Sequence, residues 1–204
     1  MLIDRNEDIS SAVLVAAEYM EIQSSGAARP LQSREEALSR QRVGPDDDLV
    51  VYRRANRQYV AMSRSEVWRF IRSQRRLYVG FSMENGYPHV TPIWFVVVGE
   101  RVYMRAQDYK VKVGLAARGR ACVAVDDGES YRELRGLVMW GKTRIVADPR
   151  LKSRLTDLFT AKYSSLQWKA EEMPAGWVGA RAKEKRAHIE FVPEKVDSWD
   201  NRKV

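Results

Sequence analysis

The sequence predicts an α+β fold, an antiparallel β-barrel with peripheral helices. Three observations predict it. Between Leu77 and Val146, β-branched and aromatic runs are separated by Asn85-Gly86, Gly99-Glu100 and Asp126-Asp127-Gly128, which are hairpin and turn signals. The first runs alternate with period two, as a half-buried strand does. Helical periodicity falls before, inside and after this set rather than between every pair of strands, which argues against a parallel α/β sheet.

The elements follow in order. Residues 1–62 read as an N-terminal extension of mixed character to which the sequence assigns no role. Within it, Ala12–Met20 fits one helix, Ser24–Pro30 and Gly44–Asp48 read as loops, and Leu49–Tyr52 fits a short strand. Ser63 with Glu66 three residues on is a capping-box pair. Val67, Phe70 and Ile71 then give a short helix its apolar face. Leu77, Val79 and Phe81 alternate with Tyr78, Gly80 and Ser82, predicting a strand. Asn85-Gly86 predicts the turn into a second strand over His89–Val98, because both residues tolerate positive φ. Gly99-Glu100 leads to a third strand over Arg101–Arg105, completing an antiparallel meander.

Tyr109–Ala117 reads as a short helix. Ala121–Val125 is a buried strand, and Leu137–Val146 a longer one in which Gly141 allows a bend or a close backbone approach. Asp148-Pro149 opens a helix, with Asp as N-cap and Pro in the first turn. Leu151, Leu155, Leu158, Phe159 and Tyr163 form its apolar face. Lys183–Val192 is expected as the last strand, ended by Pro193.

Composition bounds the function. The chain has 204 residues, 45% of them hydrophobic, enough for a real core. Its longest central apolar run, Ile93–Val98, is far too short to cross a bilayer. The N-terminus lacks the positive charge and cleavage site of a secretory signal, so the expected location is cytoplasmic, with no membrane partner. Cys122 is the single cysteine, which excludes an internal disulfide, and its apolar surroundings read as core. Two distant histidines and that cysteine give no zinc-type spacing. The net charge of +8 invites a nucleic-acid reading. The basic residues are scattered, however, without the interleaved aromatics such a surface needs, and a groove for an anionic cofactor uses the same charge. No Gly-x-Gly-x-x-Gly or Walker-type loop is present.

One further pattern runs through the strands. Asn85-Gly86-Tyr87-Pro88-His89-Val90-Thr91-Pro92-Ile93-Trp94-Phe95 is followed by Val102–Arg105, by Ala121–Gly128 and by Val138–Val146. In this order and spacing they resemble the flavin-binding split barrel of pyridoxamine 5'-phosphate oxidases and the related flavin- or deazaflavin-dependent reductases. The resemblance extends over residues 63–204, with Pro193–Asp200 similar to the closing element of one branch. It implies an antiparallel split β-barrel, homodimeric, with a flavin site at each end of the interface.

The resemblance also implies site residues. The flavin ring would lie against the strand His89, Val90, Thr91, Pro92, Ile93 and Trp94, held mainly by backbone groups. Arg105, Lys110 and Lys112 would hold the phosphate, an arginine as a fork and a lysine as a point charge. Trp94 and Trp140 would flank the ring, unless they are core residues. His89 is a candidate proton donor and Thr91 a candidate hydrogen-bond partner. Trp199 either lines the neighbouring subunit's pocket or anchors the tail, and His188 reads as structural. The branch pattern Arg-x-Lys-x-x-Asn followed by Asp-Pro-Arg is displaced. Its lysine, asparagine and proline positions are Val111, Gly114 and Gly119, and Lys110 and Lys112 flank the first.

The expected function is therefore that of an oxidoreductase moving a hydride between bound flavin and a small organic substrate. FMN is the expected cofactor, with the deazaflavin coenzyme F-420 as alternative. A non-catalytic flavin- or haem-binding protein on the same fold is the competing reading.

Overall fold

The computed structural model describes residues 38–42, 50–54, 59–166, 172 and 185–204. The helix expected over Ala12–Met20 and the loops at Ser24–Pro30 and Gly44–Asp48 lie outside the described residues. Strands β1 (Leu38–Arg42) and β2 (Val50–Arg54) form an antiparallel pair. Helix α1 (Arg64–Ser73) follows, then β3 (Arg76–Ser82), β4 (Pro88–Val98) and β5 (Arg101–Gln107). Helix α2 (Val111–Ala116) precedes β6 (Arg120–Asp127) and β7 (Arg135–Ile145). Helix α3 (Pro149–Tyr163) and the long β8 (Arg186–Asp200) complete the set.

Six strands close a ring in the order β3-β4-β5-β8-β7-β6, and every pairing within it is antiparallel. The fold is thus an antiparallel barrel of the α+β class. Alternation sends one face of each strand inward: Leu77, Val79, Phe81, Phe95, Met104, Leu137, Met139, Ile189 and Phe191 are all but inaccessible to water. Helix α1 adds Val67, Trp68, Phe70 and Ile71 to the same core. Its start is the expected capping box: the Ser63 hydroxyl accepts from the Glu66 amide, and the Glu66 carboxylate accepts from the Ser63 amide at 2.6 Å. Helix α3 packs outside the barrel, burying Leu155, Phe159 and Tyr163 against Val96 and Tyr103. Its N-cap is Asp148 with Pro149 in the first turn.

Two turns explain the meander's register. The β3–β4 loop is a three-residue connection, Glu84-Asn85-Gly86, inside a pair of Met83 and Tyr87. Only Gly86 has positive φ, at 84°, so Asn85 contributes through its side chain, which accepts from the Tyr87 amide at 3.2 Å. The turn expected at Asn85-Gly86 is present, with the positive φ carried by the glycine alone. The shape is that of a type I turn closed by a left-handed glycine. The β4–β5 turn is the two-residue Gly99-Glu100, with Gly99 at φ 59°.

The last strand departs from expectation. Pro193 does not end β8, which runs on to Asp200. The β7–β8 register shifts between Trp140 and Gly141, so that Gly141 faces Pro193 while Trp140 faces Lys195. A proline lacks a ladder donor and is tolerated where a bulge removes the need for one. Gly141 allows the approach: a Cβ there would lie 2.9 Å from the Pro193 Cα and closer still to the Val192 carbonyl oxygen. Beyond the bulge, β2 pairs in parallel with β8, Val50 opposite Lys195 and Tyr52 opposite Asp197.

Candidate functional site

The barrel is split between β4 and β5. Their pairing covers only Phe95–Val98 against Arg101–Met104. From there β5 continues along β8, Arg105 opposite His188, while β4 from Pro88 to Trp94 pairs only with β3. Among the described residues no strand lies on the other edge of that stretch.

Alternation tells which backbone groups face the opening. The tight Gly99-Glu100 hairpin directs the N–H and C=O of Val98, and so of Val96, toward β5. Phe95 faces the other way, its amide and carbonyl meeting the Tyr163 hydroxyl at 2.9 and 2.6 Å. Trp94, Pro92 and Val90 therefore present their backbone to the open edge. Pro92 has no N–H, so the free donors are Val90 and Trp94, with three carbonyls beside them. A proline at such an edge strands no ladder donor.

Side chains gather on one side of this edge. By register, His89 shares a face with Phe81 and Thr91 with Val79. Lys112, on α2, donates from Nζ to Thr91 Oγ1 at 3.1 Å. Burial pulls the Lys112 pKa below the usual lysine range, and the nearby Lys110 charge adds to the effect. His89 Nε2 is shut off from solvent and has no hydrogen-bond partner among the described residues, a group that calls for a bound partner. Three exposed apolar side chains border these residues in the chain: Tyr87, Tyr109 and Val111.

The other expected residues separate. Lys110 is exposed, its Nζ 4.9 Å from the Tyr109 ring centroid. Arg105 turns under α3, its guanidinium carbon 4.6 Å from the Phe159 centroid. Burial, and then the Arg186 charge, lower its pKa. Val90 and Ile93 occupy opposite faces of β4, with Ile93 in the core. Trp94 packs with the α3 cluster, and Trp140 packs on the outside of β6 and β7 with Cys122, Ala124 and Val138. Trp199 lies over Gly136, where a Cβ would come within 2.9 Å of the indole Cη2. Cys122 is buried, and burial pushes its thiol up to about 12, as an inert core cysteine requires.

The displaced loop has its own geometry. Gly119 follows α2 with φ 88°, a conformation proline cannot adopt because its ring fixes φ near −65°. Its amide closes the turn onto the Ala116 carbonyl at 3.2 Å. Lys112, in the first turn of α2, lies within hydrogen-bonding distance of Thr91 on β4.

Two groups near the opening are absent from the expected site residues. The Tyr163 hydroxyl also reaches the Arg75 carbonyl at 2.9 Å, joining the start of β3 to β4. Lys162 donates to the Phe95 carbonyl at 3.1 Å, and burial brings its pKa down to about 8. Their only sequence signal was a helical spacing that marked Tyr163 as core.

The family described as pyridoxamine 5'-phosphate oxidase matches residues 63–200. Among solved structures, the conserved hypothetical protein Rv2991 from Mycobacterium tuberculosis is similar at 25% identity and TM-score 0.61, over 72% of this chain and 90% of that one. An FAD-binding protein from Mesorhizobium loti is similar at 16% identity and TM-score 0.52, over 68% and 94% of the two chains. The flavocytochrome Anf3 from Azotobacter vinelandii follows at 19% identity and TM-score 0.51, over 70% of each. No curated protein sequence matches the chain.

Proposed function

The chain belongs to the pyridoxamine 5'-phosphate oxidase family, and from that premise we propose that it is a flavin-dependent oxidoreductase whose flavin lies along the open edge of β4. The observation that carries this reading is the edge itself. Val90 and Trp94 N–H groups, with the carbonyls of Val90, Pro92 and Trp94, offer a row of donors and acceptors to the hydrogen-bonding rim of a flat heterocycle. No side chain is needed for that task.

A bound flavin supplies hydride-transfer chemistry itself. The chain's part is to hold, orient and charge-match it. Lys112, which donates to Thr91 within the open stretch of β4, is the proposed phosphate partner, with Lys110 beside it. His89 is the proposed proton-carrying or hydrogen-bonding side chain, because its buried Nε2 lacks a partner. Arg105 lies under α3 and would join the phosphate contacts only by leaving the Phe159 ring.

The cofactor of choice is FMN, whose single phosphate suits this small basic set, with F-420 as the alternative. A homodimer fits the exposed Tyr87, Tyr109 and Val111 near the site, since a second copy would cover them and wall the flavin. The substrate is a small organic molecule. The purified protein should bind one of the two cofactors below about 100 μM, roughly −5.5 kcal/mol, seen as a shifted flavin or deazaflavin absorbance spectrum. Failure of both titrations ends the reading. Reoxidation of the bound, reduced cofactor by a substrate panel then separates an enzyme from a storage protein.

A further inference from the structure

A cavity of about 470 Å³ opens where α1 ends and β3 begins, closed on its far side by β6 and the start of β7. Its lining includes Gln74, Arg75, Arg76, Tyr78, Asp127 and Arg135. That volume lies within the range of small-molecule sites, roughly 300–1,000 Å³.

The floor is a closed polar network. Arg135 grips Asp127 with two hydrogen bonds at 2.6 and 2.8 Å, and Gln74 donates to the same carboxylate at 2.7 Å. Asp127 is thereby spoken for, and Asp126 on the rim has a partner of its own. Arg75 and Arg76 are different. Both are exposed, and among the described residues no acid, hydrogen bond or ring contact engages either guanidinium. The lining therefore combines an Asp127 carboxylate already paired with Arg135, two uncommitted cations, and the half-buried Tyr78.

The position is informative. Arg76 is the cross-strand partner of Trp94, and Tyr78 that of Pro92. Partners in an antiparallel pair share a face, so the cavity adjoins the outer face of the strand assigned to the flavin. We propose that it takes the anionic end of a small planar organic acid, an aromatic carboxylate being the simplest case. Arg75 and Arg76 are the cations, since a guanidinium pairs a carboxylate through two parallel bonds. The ring of Tyr78 supplies an aromatic contact. That the bound acid is the substrate rests on the flavin reading; that the cavity binds it does not.

Benzoate and its neutral isostere benzamide provide the test. Each is titrated by calorimetry into the full chain, with and without FMN. Benzoate should bind at least about tenfold more tightly than benzamide. Replacing both cations, Arg75→Gln with Arg76→Gln, should reduce benzoate to the benzamide level while the FMN titration and the melting temperature stay unchanged. The single variants carry the same comparison if the double variant melts early. Equal binding of the two probes, no benzoate binding, or unchanged benzoate affinity in the variants overturns the proposal. If neither FMN nor F-420 binds while benzoate binding still depends on the arginines, the flavin reading fails and the acid site stands.

Discussion

The phenol of Tyr163 lies flat on the indole of Trp94, ring centroids 4.5 Å apart and planes 1° from parallel. One face of Trp94 is therefore taken by the protein itself. A flavin at the open edge would meet the backbone of Trp94, or its free face, rather than slide between two indoles. The same Tyr163 ties α3 to the point where β3 and β4 begin to pair.

Removing only that hydroxyl tests how much the tie contributes. In Tyr163→Phe the stack on Trp94 is kept, but the Phe95 amide and the Arg75 carbonyl lose this partner, and the Phe95 carbonyl keeps Lys162 alone. A buried backbone group left unpaired costs about 1–3 kcal/mol, so urea unfolding should show a loss of that order. Near-ultraviolet circular dichroism should keep the tryptophan signal. An unchanged midpoint would mean that water replaces the phenol.

His188 should make stability depend on pH. It is 3% exposed, and neither ring nitrogen has a partner among the described residues. Burial, with help from Arg105 and Lys152, brings its pKa down to about 4. Above about pH 6.5 the imidazole is neutral folded and unfolded, and contributes no slope. Between 6.5 and 4 the unfolded chain takes up a proton that the folded one refuses, so stability falls as pH drops, by on the order of 1–3 kcal/mol. Chemical denaturation from pH 7 to 5 should show this fall, and His188→Leu should flatten it. An equal slope in the variant would assign the effect elsewhere.

Two glycines should respond in opposite directions to alanine. At Gly141 a Cβ would strike the Val192 carbonyl and the Pro193 Cα, so Gly141→Ala should cost at least about 2 kcal/mol. Gly114 sits inside α2 with nothing within 4 Å of its would-be Cβ. There the substitution should stabilise by up to about 1 kcal/mol through helix propensity. Melting temperatures of the two variants decide it.

Lys112 should matter more than Lys110 for cofactor affinity. It is half-buried and held on Thr91, whereas Lys110 is exposed. Losing a charge-assisted phosphate contact costs about 1.5–3 kcal/mol, so Lys112→Ala should raise the FMN dissociation constant roughly 10- to 100-fold. Lys110→Ala should raise it less. Equal effects, or none, would remove Lys112 from the phosphate site.

What the sequence made legible was local. Period-two alternation placed β3, the Ser63–Glu66 pair placed the start of α1, and Asp148-Pro149 placed α3, because each signal acts within a few residues. The split itself was not legible: it depends on where β5 leaves β4 to follow β8, a choice made by side chains some eighty residues apart. Pro193 misled for a related reason, since the bulge that accommodates it belongs to Gly141 on another strand. The backbone donors of Val90 and Trp94 became identifiable only once the hairpin register was fixed. The unengaged state of Arg75 and Arg76 has no sequence signature at all.

The parallel seat of β2 on β8 bears on the order in which the molecule assembles. Of the eight strands among the described residues, β8 comes last, yet β5, β7 and β2 all pair with it. Until it emerges during synthesis, the pairings left to the earlier strands are the β1–β2 hairpin and an open sheet of β5, β4, β3, β6 and β7, each with two raw edges and neither closed into a ring. Pairings between segments so far apart in sequence form slowly, and exposed edges invite other chains meanwhile. The cationic surface, with its net charge of +8, would keep such nascent copies apart through mutual repulsion for the time that closure takes.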